Sequence, residues 1–466
     1  MNVNLTRAEL LALLAMAFAV FMDGLDSSIV NIALPSIAES FGADANAVAW
    51  VAVTYFMMIA GMMLTFGRIA DMGHIRRIFI IGFGLFAASS LLCGLSWNLE
   101  ILIFARTVQG IAAAMLGAVA PMVCVKFLPP TKLGLGMSVL MLSGAVGFCS
   151  GPAVGGVLID VLSWHWAFFI NIPIGIFAIL FAFRALPDET PVKGAKLDLT
   201  GCALLFVAIV CAVYIVEMFA RDGQATICMV LGVIAIVSLV LFVRAEKKAA
   251  YPMLNVSMFR DWRLDSAMLT YFLTSIAYVG IAYLIPFYLI KELEMSYTLA
   301  GFIVLIPSIF TIIISIPAGH YGDTHGRRNL SIICTVSMLA SAVGYALIRP
   351  DMGWLPFIPI GLLCGIFWGS CGASLASRIV DLSPEKEKGM ASTISNFLYY
   401  VGGSFGTALF ATMVSYGSGS IGVPVDLISP EDFMDGYMLC MYVGIILSVV
   451  AIITAIIIDE RKIKSA

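Results

Sequence analysis

The stretch that decides the fold occurs twice, as GRIADMGHIRR at residues 67–77 and as GHYGDTHGRR at residues 319–328. In each copy a glycine lies four residues before an aspartate, and a pair of arginines follows that aspartate. Recurrence of one segment with the same spacing indicates an internal repeat. The first copy joins the second and third apolar runs of the chain, and the second copy joins the tenth and eleventh. Two halves of six helices explain this spacing only if two further helices separate them.

Charged residues are too rare in this chain for a water-soluble domain. Of its 466 residues, 61% are hydrophobic and 12% are charged, whereas soluble domains are about half apolar and about one-quarter charged. The apolar runs are apolar on nearly all sides, which favours membrane helices over the alternating strands of a barrel. The sequence predicts an all-α polytopic membrane protein with 14 transmembrane helices, at residues 9–38, 46–66, 77–96, 99–125, 134–160, 164–186, 198–219, 225–243, 264–290, 297–318, 329–348, 354–378, 388–416 and 435–458.

Basic residues concentrate on one side of these spans. If the N-terminus is cytoplasmic, 22 of the 26 lysines and arginines fall in inside loops or at inside helix ends. Cytoplasmic loops of membrane proteins carry this excess of positive charge. The pattern supports an even number of spans and predicts that both termini are cytoplasmic.

The repeat and the polar linkers predict a 6+2+6 organisation. The linkers run over residues 187–198 and 244–263. The expected units are an N-terminal six-helix bundle (residues 1–187), two inserted helices with their linkers (188–262) and a C-terminal six-helix bundle (263–466).

Two carboxylates lie within helix 1, at Asp23 and Asp26. A charged carboxylate inside a membrane costs several kcal/mol, so it needs a partner or a wet cavity. Three residues apart on a helix, the two groups share one face and disfavour each other's ionised form. Both are therefore candidate proton carriers. The alternative is that one of them only holds helix 1 in place through hydrogen bonds or an ion pair.

Arg106 is the only basic residue assigned to the membrane interior. A buried guanidinium needs an anionic partner, and helix 1 supplies the only acids assigned to the membrane. We expect Arg106 to approach Asp26 or Asp23 and to be exchanged for a proton during a transport cycle. The alternative is a permanent structural salt bridge.

Helix 5 contains a strip of glycines four residues apart, at Gly147, Gly151 and Gly155. Such a strip lets another helix approach closely, and Pro152 frees a backbone carbonyl and can kink the span. Ordinary packing between helices also explains this spacing, without a role in transport.

Together these segments resemble the major facilitator superfamily and, within it, the 14-span drug:proton antiporter family. The resemblance covers nearly the whole chain, and its motifs occur in the family's order. The two repeated loops look like the superfamily's motif A, and RTVQG at 106–110 is similar to its motif B. The run 147–156, including Gly156, is similar to motif C, which is associated with antiport. LDSSIVNIALP at 25–35 and WHWAFFINIPIG at 164–175 look like segments of the 14-span family.

The resemblance implies a gating role for the repeated loops, as a charge latch between the halves in the outward-open state. The implied residues are Gly67, Asp71, Arg76, Arg77, Gly319, Asp323, Arg327 and Arg328. The first loop departs from the family pattern at Met72, His74 and Ile75. An anchor on the positive side of the membrane is the alternative role.

Aromatic residues on helices 9, 12 and 13 suit a cavity for flat, amphipathic or cationic compounds. The competing interpretation is packing, or a belt at the membrane interface. Our candidate substrate-cavity residues are Asn31, Gln109, Tyr271, Tyr278, Trp368, Asn396 and Tyr400.

These expectations add up to a proton-coupled secondary transporter. It would export small amphipathic or cationic compounds by alternating access of its two halves. Its partners would be a small-molecule substrate, protons and the lipid bilayer of a prokaryotic cell membrane, and we expect a monomer without cofactor, metal or nucleic acid. One alternative is proton-coupled transport of a single metabolite or organic anion. A remote alternative is a receptor or an enzyme, although the sequence has no His-rich metal cluster or Ser/His/Asp set, and we expect no enzymatic activity.

Overall fold

The structure is a computed structural model, which describes residues 6–127, 133–186, 198–218, 224–248, 261–325, 327–384, 388–423 and 427–457. Apart from turns, these residues are helical, and 14 helical segments are long and apolar enough to cross a membrane. The all-helical class and the number of spans predicted from hydropathy are therefore confirmed.

The N-terminal helices form six spans, because α6 and α7 together make one span. They are α1 (Arg7–Phe41), α2 (Ala45–Ile69), α3 (Ile75–Gly94), α4 (Leu99–Phe127), α5 (Leu133–Val161), α6 (Trp166–Phe169) and α7 (Asn171–Ala185). Two further spans follow, α8 (Leu199–Met218) and α9 (Ala225–Lys248).

The C-terminal helices form six spans, because the π-helical turn Gly372–Ala376 joins α13 to α14. They are α10 (Trp262–Phe287), α11 (Tyr297–His325), α12 (Arg327–Leu347), α13 (Phe357–Cys371), α14 (Ser377–Leu382), α15 (Lys388–Gly417) and α16 (Pro430–Ile457). The predicted domain boundaries after residues 187 and 262 stay predictions. Residues 187–197 and 249–260, which hold most of the two linkers, lie outside the described residues.

The first repeated loop is helical rather than open. Ala70–His74 forms a π-helical turn between α2 and α3. Within it, Gly73 has a left-handed backbone, with φ 90° and ψ 34°. Only glycine adopts such a φ without a steric penalty. Gly73 therefore sets the turn by which the chain passes from α2 into α3.

Helix contacts divide the bundle into two groups and join them along two seams. Among the N-terminal helices, α1 runs along α5, and α2 packs against α4; among the C-terminal helices, α10 runs along α15, and α11 packs against α13. The seams between the groups are formed by α2 with α15 and by α5 with α11. The helix α8 packs against α9 and touches both α2 and α15, while α9 is largely exposed on its outer side.

The two ends of the bundle differ in charge. One end, here called the basic end, carries the repeated loops with Arg68, Arg76, Arg77, Arg327 and Arg328. The opposite end, here called the acidic end, carries Glu39, Asp44, Asp160, Glu292 and Asp351. This separation agrees with the predicted charge asymmetry, and the assignment of the basic end to the cytoplasm stays a prediction.

The groups meet closely toward the acidic end. The Tyr283 hydroxyl on α10 donates to the backbone carbonyl of Ala45 on α2 at 2.7 Å, and a methyl group added at Gly156 on α5 would strike the backbone of Tyr297 on α11. At the basic end, the same methyl at Gly67 or Gly319 would meet nothing within 4 Å. The described conformation is therefore closed at the acidic end, with open space beside both loop glycines.

Candidate functional site

A buried ion pair joins α1 to α4 in the middle of the N-terminal helices. Arg106 Nη1 lies 2.5 Å from Asp26 Oδ2, and the two side chains are 1% and 0% exposed. Arg106 Nε also donates to the backbone carbonyl of Val51 on α2 at 2.9 Å. The sequence left Asp23 and Asp26 as possible partners of Arg106, and in the structure Arg106 pairs with Asp26.

Amide side chains complete the coordination of Asp26. Its Oδ1 accepts from Gln109 Nε2 at 2.9 Å and from Asn171 Nδ2 at 2.7 Å. Gln109 in turn accepts from Arg106 at 2.6 Å and donates to the Ser90 hydroxyl at 2.8 Å. All of these side chains are buried. We refer to Asp26, Arg106, Gln109, Asn171 and Ser90 as the charge network.

The charge network contains one predicted cavity residue and two residues that the sequence analysis did not propose as site residues. Gln109, expected to line the substrate cavity, is fully enclosed and bonded within the network instead. Asn171 and Ser90 were not proposed, although both are polar groups within apolar runs. Such isolated polar residues in a span are the signal that would have found them.

The charge network neutralises its own charges. A buried carboxylate and guanidinium tolerate low dielectric only when they are paired and their remaining polar atoms are bonded. The Arg106 guanidinium also lies 4.0 Å from the centre of the Tyr55 ring, a cation–π distance. Separation of this pair would leave a bare carboxylate and a bare guanidinium, both buried and uncompensated, which is costly.

Asp23 has different partners from Asp26. It is half-buried, and its two oxygens accept hydrogen bonds from the hydroxyls of Tyr55 at 2.8 Å and Tyr400 at 2.7 Å. Tyr55 belongs to α2, and Tyr400 belongs to α15 among the C-terminal helices. Tyr400 was predicted as a cavity residue and instead binds a carboxylate, while Tyr55 was not predicted.

A row of aromatic rings runs through the C-terminal helices from Tyr400 to Tyr278. Tyr400 contacts Tyr399 at 5.3 Å between ring centres, and Tyr399 contacts Trp368 at 5.2 Å. Trp368 stacks on Tyr278 at 4.8 Å with an interplanar angle of 4°. These distances are those of favourable ring pairs. The row connects Asp23 with the wall of the cavity described next.

A small cavity lies between the two groups of helices, toward the acidic end. The predicted residues Asn31 and Tyr278 both line it, together with Ser28, Pro152 and apolar side chains of α10 to α13. Its lining residues include no aspartate, glutamate, lysine, arginine or histidine. Two other predicted cavity residues lie elsewhere: Tyr271 is buried in the core, and Asn396 is exposed on α15.

The arginines of the repeated loops make their described contacts within one group of helices. Arg76 donates to the carbonyl of Phe183 on α7 at 3.3 Å. Arg327 binds Asp381 on α14, and Arg328 donates to the carbonyl of Ile456 at 3.0 Å. The side chains of Asp71 and Asp323 lie outside the described part of the chain. A latch between the halves stays a prediction for another conformation.

The glycine strip of α5 faces α1. A methyl group added at Gly147 would strike the backbone of Phe21, and one added at Gly151 would strike Ser28. At Gly155 it would lie 2.6 Å from a side-chain carbon of Ile29. Helix 1, which carries both carboxylates, therefore lies directly on α5. The spacing of four predicts such a close approach of a helix but not which helix it is.

At the acidic end, Asp160 caps a helix of the other group. Its carboxylate accepts from the backbone amides of Tyr297 at 3.1 Å and Thr298 at 2.7 Å, at the start of α11. Removal of an N-terminal cap costs about 1 kcal/mol. We expect Asp160→Ala to speed hydrogen exchange of these two amides about fivefold in lipid nanodiscs, since about 1.4 kcal/mol is a factor of ten.

Asp160→Asn is the matched control, because it keeps an oxygen acceptor without the charge, and its effect should be smaller. Equal exchange rates in the wild type and Asp160→Ala would show that this cap does not hold the acidic end together.

Comparisons with known proteins agree with this architecture. The sequence profile of the Major Facilitator Superfamily matches residues 16–407. The riboflavin transporter RibZ of Clostridioides difficile is 28% identical over 414 residues, which cover 87% of this chain and 89% of that protein. The multidrug export protein EmrB of Haemophilus influenzae is 28% identical over 417 residues, with 87% and 80% covered.

A solved structure shows the same fold at low sequence identity. It is an inward-facing and unoccupied bacterial homologue of the human lysosomal transporter Spinster, with a TM-score of 0.69, 12% identity and 98% of each chain covered. The family match spans most of the sequence and includes both carboxylates and Arg106. The chain therefore belongs to the Major Facilitator Superfamily and is a multi-pass membrane transporter.

Proposed function

We propose that this protein is a proton-coupled antiporter that exports small amphipathic or cationic compounds by alternating access. The observation that carries the proposal is the Asp26–Arg106 pair, fully buried and held by amide side chains inside a membrane-spanning bundle. Intramembrane ion pairs of this kind mark ion pathways and proton relays. Relatives named for multidrug export support the choice of substrate class.

In this mechanism Asp26 carries the proton and Arg106 neutralises Asp26 when the proton has left. While ionised, Asp26 binds α1 to α4 through Arg106 and to α7 through Asn171. A proton arriving from the acidic end would remove the charge that holds this contact and free the helices to rearrange. Release of that proton toward the basic end would restore the pair, so inward proton movement drives outward substrate movement.

The proposal includes a 6+2+6 arrangement in which α1–α7 and α10–α16 rock about the cavity between them. The protein would act as a monomer in the cell membrane of a prokaryote, without enzymatic activity. The inserted helices α8 and α9 would be additions to this machinery, because α8 touches both groups while α9 lies at the periphery.

Transport of one specific metabolite is the second candidate. The observation in its favour is the lining of the cavity, which lacks acidic, lysine, arginine and histidine residues and suits an uncharged planar compound. A relative named as a riboflavin transporter belongs to this type. It is the weaker candidate, because several other relatives are named for multidrug export.

Purified protein in sealed proteoliposomes tests the proposal. With an imposed pH gradient we expect a lipophilic cationic dye to move against the proton flow, and addition of the dye to dissipate the gradient. Unrelated dyes should compete with one another for transport. If the second candidate is correct, the dyes should not compete, and riboflavin is the metabolite to test first. A dye flux that leaves the pH gradient untouched would contradict proton coupling. Protein-free liposomes are the control for leakage.

A further inference from the structure

Asp23 is the second carboxylate of helix 1, and its position differs from that of Asp26 in one respect. Asp26 binds side chains of the N-terminal helices only, among the contacts described. Asp23 accepts one hydrogen bond from Tyr55 on α2 and one from Tyr400 on α15. It therefore lies on the seam between the two groups of helices, where relative movement of the groups must break or keep a contact.

The surroundings of Asp23 contain no direct cationic partner within the described residues. The titratable or charged groups that face it are Asp26 on α1, Tyr55 on α2, Arg106 on α4, and Tyr399 and Tyr400 on α15. The Arg106 guanidinium is bound to Asp26 and stacked on the Tyr55 ring. The two phenol hydroxyls are thus the groups that directly stabilise an ionised Asp23.

This coordination depends on the charge of the carboxylate. An ionised carboxylate only accepts hydrogen bonds, so both hydroxyls can donate to it at once. Bonds to an ionised acceptor are shorter and about twice as strong as neutral ones. A protonated Asp23 would itself have to donate, and neither remaining bond would be charge-assisted. Protonation therefore weakens the one contact of Asp23 that crosses the seam.

Neighbouring contacts place this bond where it can hold the acidic end closed. One turn beyond Tyr400, the Ser404 hydroxyl donates to the carbonyl of Val53 on α2 at 3.3 Å. The Tyr400 ring also lies 6.2 Å from that of Phe56 on α2. The α2–α15 seam thus continues from Asp23 toward the acidic end. Loss of the Tyr400–Asp23 hydrogen bond would open the seam at Asp23, at the end of the seam that lies farthest from the acidic end.

We propose that Asp23, Tyr55 and Tyr400 form a proton-operated latch that holds the acidic end shut while Asp23 is ionised and releases α15 when Asp23 is protonated. The latch gives the two carboxylates separate tasks, with Asp26 in the ion-pair exchange and Asp23 in the control of the seam. It rests on the proposed function only in assuming alternating access.

Hydrogen exchange in lipid nanodiscs tests the latch without measuring transport. The amides of residues 45–56 and 297–305 report on the acidic end, with rates corrected for the intrinsic effect of pH. We expect wild-type protection to be at least about tenfold lower near pH 5 than near pH 8, because protonation of Asp23 removes the charge-assisted hydrogen bond from Tyr400 that crosses the seam.

Asp23→Asn and Tyr400→Phe should each remove this pH dependence, leaving a ratio below about twofold, since residues of one network act non-additively. The double variant should resemble either single one. Tyr416→Phe, which removes an exposed hydroxyl from the same helix, is the matched control and should behave as wild type. Tyr55→Phe provides a second measurement if Asp23→Asn does not fold.

Wild-type pH dependence in Tyr400→Phe and in Asp23→Asn would overturn the latch. An equal loss in Tyr416→Phe would overturn it as well, because the effect would then not depend on Asp23. The outcome is separable from that of the proposed function. If the pH switch needs Asp23 but transport of the substrate moves no protons, the latch is supported and the antiport is contradicted. If export is driven by protons but no such switch is found, the antiport is supported and the latch is contradicted.

Discussion

Asp26→Asn is expected to abolish proton-driven transport and to lower the free energy of unfolding by about 3–5 kcal/mol. Asparagine keeps the shape of the side chain and an oxygen for Asn171 or Gln109. Among the described residues, it removes the only anion in contact with Arg106, whose side chain is 1% exposed and cannot reach water. The guanidinium then stays buried with an uncompensated charge. Thermal unfolding in detergent and the proteoliposome assay measure the two effects.

The double variant Asp26→Asn with Arg106→Gln is the decisive control for this prediction. It removes both charges, so most of the lost stability should return, because a neutral hydrogen-bonded pair needs no counter-ion. Proton-driven transport should stay absent, since no group in the network would then bind and release a proton. Normal proton-driven export by either variant would show that Asp26 is not the coupling site.

Gly151→Ala is expected to have the second largest effect, a loss of about 3 kcal/mol in stability. The added methyl would strike the Ser28 side chain and lie 2.8 Å from the backbone nitrogen of Ile29. Backbone cannot turn aside as a flexible side chain does, so α1 must move away from α5. Because α1 carries Asp23 and Asp26, the shift should also weaken proton-driven export. The unfolding midpoint and the export rate of the same preparation test both effects.

Gly84→Ala on α3 is the matched control, because nothing lies within 4 Å of its added methyl. Alanine is the better helix former by about 1 kcal/mol, so this variant should be at least as stable as wild type. Equal losses in the two variants would mean that the α1–α5 approach is not what makes glycine necessary at residue 151.

The sequence could predict those features that depend on one helix at a time. Hydropathy gave the number of spans, because each span must be apolar over a membrane thickness whatever its neighbours are. The same rule isolated Asp23, Asp26 and Arg106 as charges that need partners. The repeat of the loops at 67–77 and 319–328 suggested two related halves.

Other features depend on how each helix is rotated against its neighbours, which the sequence does not reveal. Gln109 and Tyr400 were both predicted to line the substrate cavity. In the structure Gln109 completes the coordination of Asp26, and Tyr400 binds Asp23. Tyr55 went unnoticed because one tyrosine among the apolar residues of α2 is unremarkable until its hydroxyl is seen 2.8 Å from a carboxylate.

By itself the sequence determined an all-helical membrane protein, its 14 spans, the charge difference between its ends and the three charges inside it. Only the tertiary structure decided that Arg106 binds Asp26 and that Asp23 is left to two tyrosines from different groups of helices. The physical reason is that transfer into a membrane depends on the composition of each segment alone. Pairing between side chains depends on the rotation and height of one helix against another, which close packing such as that of Gly151 on α1 sets.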